Sequence, residues 1–254
     1  MNYHIPNLPS RLPKPRNHGI TMMMDKGLSV KEAEEFVKSS GEFTDFVKLG
    51  FGTALITREL DAKLQVYREG NVRPYFGGTL FEVFYLRKMF DQYREFISRY
   101  KLDLVEVSDG TISMPHDDKL RCIEILAGDV QVLSEVGSKL AGVNIPVEEW
   151  VSMMKTELQA GAWKVIAEAR ESGTIGIYNA DGSANIQLIS DITDNIDPQN
   201  VIWEAPLKNQ QVYFIKMLGA NVNLGNIAPG EMVALEALRL GLRGDTITDF
   251  IPGT

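Results

Sequence analysis

The chain has 254 residues and is 44% hydrophobic, enough to bury a large core in one barrel-sized domain or two smaller ones. Its formal charge of -8 argues against a general nucleic-acid binder, which needs a basic surface to displace counterions from phosphates. The single cysteine, Cys122, excludes intramolecular disulfides and cysteine-built zinc clusters, and it falls in a helix-like apolar stripe that reads as core packing.

Residues 1–17 hold Pro6, Pro9, Pro13 and Pro15, a density that forbids a helix or a central strand. An N-terminal arm is expected there, wrapping its own domain or a neighbouring subunit, with a single domain over 18–254. The first residues lack an apolar core of signal-peptide length, and no later segment approaches the ~18 uninterrupted apolar residues of a membrane helix. A cytoplasmic protein without membrane contact is expected. After the arm, short apolar runs read as strands at 20–24, 45–49, 72–76, 104–107, 130–134, 163–167, 201–203 and 221–224. Helical spacing marks 30–39, 80–100, 119–126, 147–159, 209–218 and 231–240, with weaker segments after the second and sixth strands. Strands that alternate with helices imply parallel pairing through right-handed crossovers, and eight such units fit an α/β chain closed as a (β/α)8 barrel. An open doubly wound sheet fits less well. The first turn, Asp25-Lys26-Gly27-Leu28, lacks GxGxxG, and no GxxxxGK[ST] occurs anywhere.

In such a barrel the loops after the strands share one mouth, where chemistry collects. The expected strand ends carry Asp25 and Lys26; Lys48; Gly77, Gly78, Thr79 and Glu82; Glu106, Ser108 and Asp109; Glu135, Gly137 and Lys139; Glu168 and Arg170; Glu204; and Asn221, Asn223 and Asn226. Alternation turns Glu106 and Ser108 inward and Val105 and Val107 toward the helices, and it gives Lys164, Glu168 and Arg170 one parity. Polar residues are therefore expected to fill the interior and apolar ones to face the helices. Carboxylates without a histidine or cysteine cluster favour a hard, oxygen-liganded ion such as Mg2+ over zinc. Lys26, Lys48, Lys139 and Arg170 around that ion point to a multiply anionic substrate, with phosphate leading. Gly77-Gly78-Thr79 and Asn223-Leu224-Gly225-Asn226 offer main-chain N–H groups before helices, where an anion is favoured. His4, His18 and His116, the Met22-Met23-Met24 run, and Arg239 and Arg243 read as structural.

Several segments carry a family resemblance: Pro15-Arg16-Asn17-His18-Gly19-Ile20-Thr21-Met22, Asp25-Lys26-Gly27-Leu28, Lys48-Leu49-Gly50-Phe51-Gly52-Thr53, Gly77-Gly78-Thr79-Leu80-Phe81-Glu82, and Glu106-Val107-Ser108-Asp109-Gly110-Thr111. It continues through Ser134-Glu135-Val136-Gly137, Glu168-Ala169-Arg170-Glu171-Ser172-Gly173, Glu204-Ala205-Pro206, Asn221-Val222-Asn223-Leu224-Gly225-Asn226 and Gly241-Leu242-Arg243-Gly244-Asp245-Thr246. In this ordered set the chain, from about residue 15 to 247, resembles the phosphosulfolactate synthases. The resemblance implies a Mg2+-dependent barrel enzyme that adds sulfite to phosphoenolpyruvate, giving (2R)-2-O-phospho-3-sulfolactate, as in routes to coenzyme M or sulfolactate. It implies metal ligands drawn from Asp109, Glu135, Glu168 and Glu204, and a proton donor at Lys139. Lys48 and Arg170 would then hold phosphate or sulfite, Lys26 would assist, and Glu106 would support the site or touch the metal. A homo-oligomer is expected. Two other readings stay open: a lysine Schiff-base aldolase using Lys164 or Lys48, and a noncatalytic heat-stress-associated relative on the same barrel.

Overall fold

The computed structural model describes residues 2–138 and 145–251. Eight parallel strands alternate with helices in a nearly closed (β/α)8 barrel. The strands are β1 (Thr21–Asp25), β2 (Phe46–Leu49), β3 (Arg73–Phe76), β4 (Leu104–Val107), β5 (Gln131–Val136), β6 (Lys164–Ala167), β7 (Val201–Glu204) and β8 (Leu224–Ile227). Around them lie α1 (Val30–Ser40), α2 (Leu60–Glu69), α3 (Gly78–Leu86), α4 (Phe90–Arg99), α5 (His116–Ala127), α6 (Val147–Gln159), α7 (Ile186–Asn195), α8 (Lys208–Leu218) and α9 (Met232–Arg239). Among the described residues no helix is long and apolar enough to cross a membrane.

Local chemistry sets the element ends. Helix α1 starts at Ser29, whose hydroxyl accepts from the Glu32 N–H while the Glu32 carboxylate accepts from the Ser29 N–H, a reciprocal cap. The expected helix over 80–100 is two helices, because Lys88 adopts a left-handed φ of 57° between them. Apolar residues continue on both sides of that break, so the pattern conceals it. The eighth strand is also displaced from 221–224 to Leu224–Ile227. The alternation of Asn221-Val222-Asn223-Leu224 imitates a strand, whereas the true one carries glycine and asparagine. Gly225 is required there: a Cβ would lie 2.6 Å from Met22 Cε and 3.0 Å from Ile202 Cγ2, inside the barrel.

The interior is layered, which corrects the expectation that it is polar throughout. Ile20, Met22, Phe46, Tyr75, Leu104, Leu133, Ile166 and Ile202 form one buried cluster inside the sheet. A second, larger cluster lies between sheet and helices and includes Met23, Val47, Val105, Val107 and Val165. Charge enters the barrel above the apolar plug, toward the strand C-termini, so the strand alternation holds while the interior changes character along its axis.

The hydrogen-bonded strand order β3-β2-β1-β8-β7-β6-β5-β4 leaves the closure between β3 and β4. Side chains span that seam. Glu106 on β4 accepts from Tyr75 Oη on β3 at 3.0 Å and from the Gly78 N–H at 2.6 Å. Gly78 is required by this approach, since a Cβ would fall 2.3 Å from Ser108 Cβ. The arm lies across the opposite end of the barrel. Arg11 pairs with Glu236 at 2.9 Å, Arg16 pairs with Asp45 at 2.8 Å, and Lys14 donates to the Gly41 and Thr44 carbonyls.

Candidate active site

Lys48, near the C-terminal end of β2, stands at the centre of the mouth. Its Nζ lies 2.8 Å from Glu106, 3.1 Å from Glu135 and 3.4 Å from Glu204. All four side chains are buried. Burial opposes charge on the amine, but the three carboxylates outweigh it and hold the ammonium well above the usual lysine range. Glu168, just past β6, is also buried, and one carboxylate oxygen each from Glu135, Glu168 and Glu204 lies within 4.8 Å of the others. Three hard anionic oxygens at that spacing, from three adjacent strands, fit a Mg2+ ion in chemistry and in number, with water or substrate completing its shell.

Neighbouring groups fix these carboxylates. Glu204 accepts from the Ala169 N–H at 2.9 Å. The Ser108 hydroxyl stands between Glu135, at 2.8 Å, and the buried Glu82, at 2.7 Å, and Thr111 also donates to Glu82. Beneath β5, Lys119 on α5 reaches Asp109 and Glu157, each at 2.9 Å, and donates to the Glu135 carbonyl at 2.7 Å. Burial again opposes the charge on Lys119, and Glu157 and Asp109 raise its pKa in spite of it. This pair of cations holds the main chain of β5 from below and its carboxylate from above.

The structure separates the predicted site residues into groups. Glu135, Glu168 and Glu204 meet, whereas Asp109 turns to Lys119 and lies outside that trio. Glu106 joins Lys48 to the β3–β4 seam. Lys26 reaches across the rim to Glu171 at 2.7 Å, and Arg170 is exposed nearby. The glycine turn differs from an open anion cradle: the Gly77 N–H bonds the Leu49 carbonyl and the Gly78 N–H is taken by Glu106, with Thr79 half-buried beyond them. Asn226 remains at the mouth, its Nδ2 donating to the Ala169 carbonyl at 3.1 Å. Gly225 is packed inside the barrel. Asn223 is displaced to the opposite end because β8 begins later than expected, and it bonds the Gln199 and Val201 carbonyls and the Ile20 N–H. Lys139 lies outside the described residues.

Several site residues had no strand-end signal. Lys63 on α2 pairs with Asp25 at 2.6 Å, beside Tyr67 at 2.8 Å, while the Gly27 and Leu28 N–H groups bond the other Asp25 oxygen. Asp25 thereby fixes the first loop of the mouth. Lys63, Lys119 and Glu157 each interrupt the buried stripe of a helix, and that interruption is the available clue. Arg239 is structural, donating to the Ala220, Val222 and Ile20 carbonyls where β1 and β8 begin.

A (β/α)8 barrel with buried acids and a clamped lysine at its C-terminal mouth has the build of a barrel enzyme. Solved structures support the barrel alone: 3-hexulose-6-phosphate synthase from Salmonella typhimurium aligns at TM-score 0.55 and 14% identity, covering 88% of this chain and 100% of that one. A thiamine phosphate pyrophosphorylase from Pyrococcus furiosus aligns at TM-score 0.53 and 12% identity, covering 87% and 96%.

The model of the (2R)-phospho-3-sulfolactate synthase (ComA) family matches residues 9–245, and the chain belongs to that family. A phosphosulfolactate synthase of Methanothermobacter thermautotrophicus is 41% identical over 245 residues, 94% of this chain and 95% of the relative. One from Bacillus subtilis is 39% identical over 249 residues, covering 97% and 99%.

Proposed function

We propose that the chain joins sulfite to phosphoenolpyruvate, giving (2R)-2-O-phospho-3-sulfolactate, with Mg2+ held by Glu135, Glu168 and Glu204. The observation that carries this reading is the convergence of those three buried carboxylates beside Lys48, and family membership supports it. When bound there, Mg2+ supplies Lewis-acid stabilisation for the negative charge that develops on the substrate carboxylate.

The chain's own residues do the rest. The sulfite sulfur uses its lone pair to form a C–S bond at the methylene carbon, the C=C π bond breaks with its electron pair shifting toward the substrate carboxylate, and the adjacent carbon then takes up a proton through that pair. Lys139 comes four positions after Glu135 in the sequence and donates that proton from one face, fixing the configuration. Lys48 offsets the mutual repulsion of Glu106, Glu135 and Glu204 and holds them in register for the metal. Arg170 meets the incoming anions at the rim, where Glu171 positions Lys26 beside it, so positioning and local electrostatics lower most of the barrier.

The aldolase reading loses its nucleophiles. A Schiff-base lysine must be neutral to attack, and Lys48 is held strongly protonated by its carboxylates. Lys164 begins β6 at the other end of the barrel and donates to the Gln199 carbonyl at 2.6 Å. Purified protein mixed with phosphoenolpyruvate, sulfite and Mg2+ is expected to form phosphosulfolactate, and Lys139→Ala is expected to abolish turnover with the fold intact. Absence of product across a pH series would favour the noncatalytic alternative, and near-normal turnover in the variant would remove Lys139 from the reaction.

A further inference from the structure

The end of the barrel remote from the carboxylates holds a cavity of about 550 Å³, lined by the residues that begin β2 to β6 and by the arm. Its volume lies within the range of small-molecule sites. Five basic side chains line it, Lys14, Arg16, Arg68, Arg73 and Lys101, against only Asp45 and Asp103. In a chain of net charge -8 this concentrates positive potential at one place.

The bonding of those cations leaves much of that charge uncompensated. Arg16 is matched by Asp45 at 2.8 Å. Arg68 instead donates to the Tyr100 and Lys101 carbonyls, and Lys14 to those of Gly41 and Thr44, so neutral groups position both. Arg73 meets Asp103 at 3.3 Å in a pair that water reaches and donates to Gln131 Oε1 at 2.8 Å, so an incoming anion competes with exposed partners there, whereas Lys101 is exposed. Apolar surface accompanies this charge. Phe46 and Trp163 meet edge to face with centroids 5.9 Å apart, and the Arg73 guanidinium lies 5.6 Å from the Phe46 ring centre.

We propose that this cavity is a second ligand site, for an organic anion that carries a phosphate, sulfonate or carboxylate on a flat apolar body. The anionic group meets Arg73 and Lys101, and the body packs against Trp163 and Phe46. The site is separate from the mouth and does not depend on the reaction assigned there.

The probe is phenyl phosphate, titrated into the intact protein and followed by calorimetry and tryptophan emission. Trp163 lines the cavity, while Trp150 and Trp203 are buried in the sheet–helix core. Saturable binding is expected, stronger than for inorganic phosphate, because the ring adds apolar contact. Arg73→Gln and Lys101→Glu are each expected to weaken it about tenfold, the scale of one charge-assisted hydrogen bond at a partly wet site. Lys101 is exposed, so its variant keeps the test valid if Arg73→Gln disturbs the β3–β4 seam. Absence of saturable binding, or equal affinity in the parent and both variants, overturns the proposal. Neither readout uses turnover, so failure here is distinct from failure of the proposed reaction.

Discussion

Lys48 and Lys164 are both buried lysines on barrel strands, yet their surroundings drive them in opposite directions. At the mouth, three carboxylates outweigh the desolvation of Lys48 and keep it charged. At the other end, burial dominates over the attraction of Asp197 and lowers Lys164 to about 8. Its ammonium rests 4.6 Å from the Trp163 ring centre and on a carbonyl. Burial sets the same opposition at both ends, and the carboxylates decide the outcome. The mouth is therefore an interdependent charge network, while Lys164 is a local accommodation.

The largest expected effect comes from Lys48→Met, which leaves Glu106, Glu135 and Glu204 facing one another without their cation. The cost expected for breaking such a buried network is about 3–5 kcal/mol, read as a lowered urea midpoint, together with loss of product formation. An unchanged midpoint would show that the carboxylates do not depend on Lys48. Lys119→Met comes next. It removes the partner of Asp109 and Glu157 and a donor to the Glu135 carbonyl, and about 3 kcal/mol of destabilisation is expected in the same measurement.

Lys164→Met is expected to stay within about 1 kcal/mol of the parent at neutral pH, because it also removes a buried ammonium's desolvation cost. Its pH dependence sharpens the contrast. Below about 8 the lysine is protonated in folded and unfolded chains alike, and the folded state bears the unfavourable burial. Between about 8 and the ordinary value of 10.5 the unfolded chain binds the additional proton, so this group makes stability rise with pH. Lys164→Met should flatten that rise in urea midpoints measured across the window; an unaltered slope would contradict the assignment. The smallest effect concerns Cys122, where burial pushes the thiol up to about 11. Alkylation of native protein at pH 8 should be far slower than of unfolded protein, and equal rates would show that the thiol is accessible.

Much of the barrel was legible because strand alternation is a short-range signal. Val105 and Val107 pack outward while Glu106 and Ser108 lie within, as the alternation requires. The eighth strand was misplaced because alternating asparagines outside it resemble a strand more closely than its own Gly225 and Asn226 do. The strand-end acids Glu135, Glu168 and Glu204 converge because successive strands deliver them to one mouth. Lys63, Lys119 and Glu157 were hidden for the opposite reason: a charge on a helix ordinarily marks the solvated face, and only tertiary packing shows that these point into the barrel wall. The use of Gly78 was equally hidden, since the same glycine pair can cradle an anion or let two strands approach, and the seam between β3 and β4 requires the approach.

The most direct test of the account is phosphosulfolactate formation from phosphoenolpyruvate and sulfite by chelator-treated protein, before and after Mg2+ is restored. No product is expected in the chelator, and turnover is expected to recover with Mg2+. Undiminished turnover in the chelator would contradict the assignment of Glu135, Glu168 and Glu204 to a metal ion.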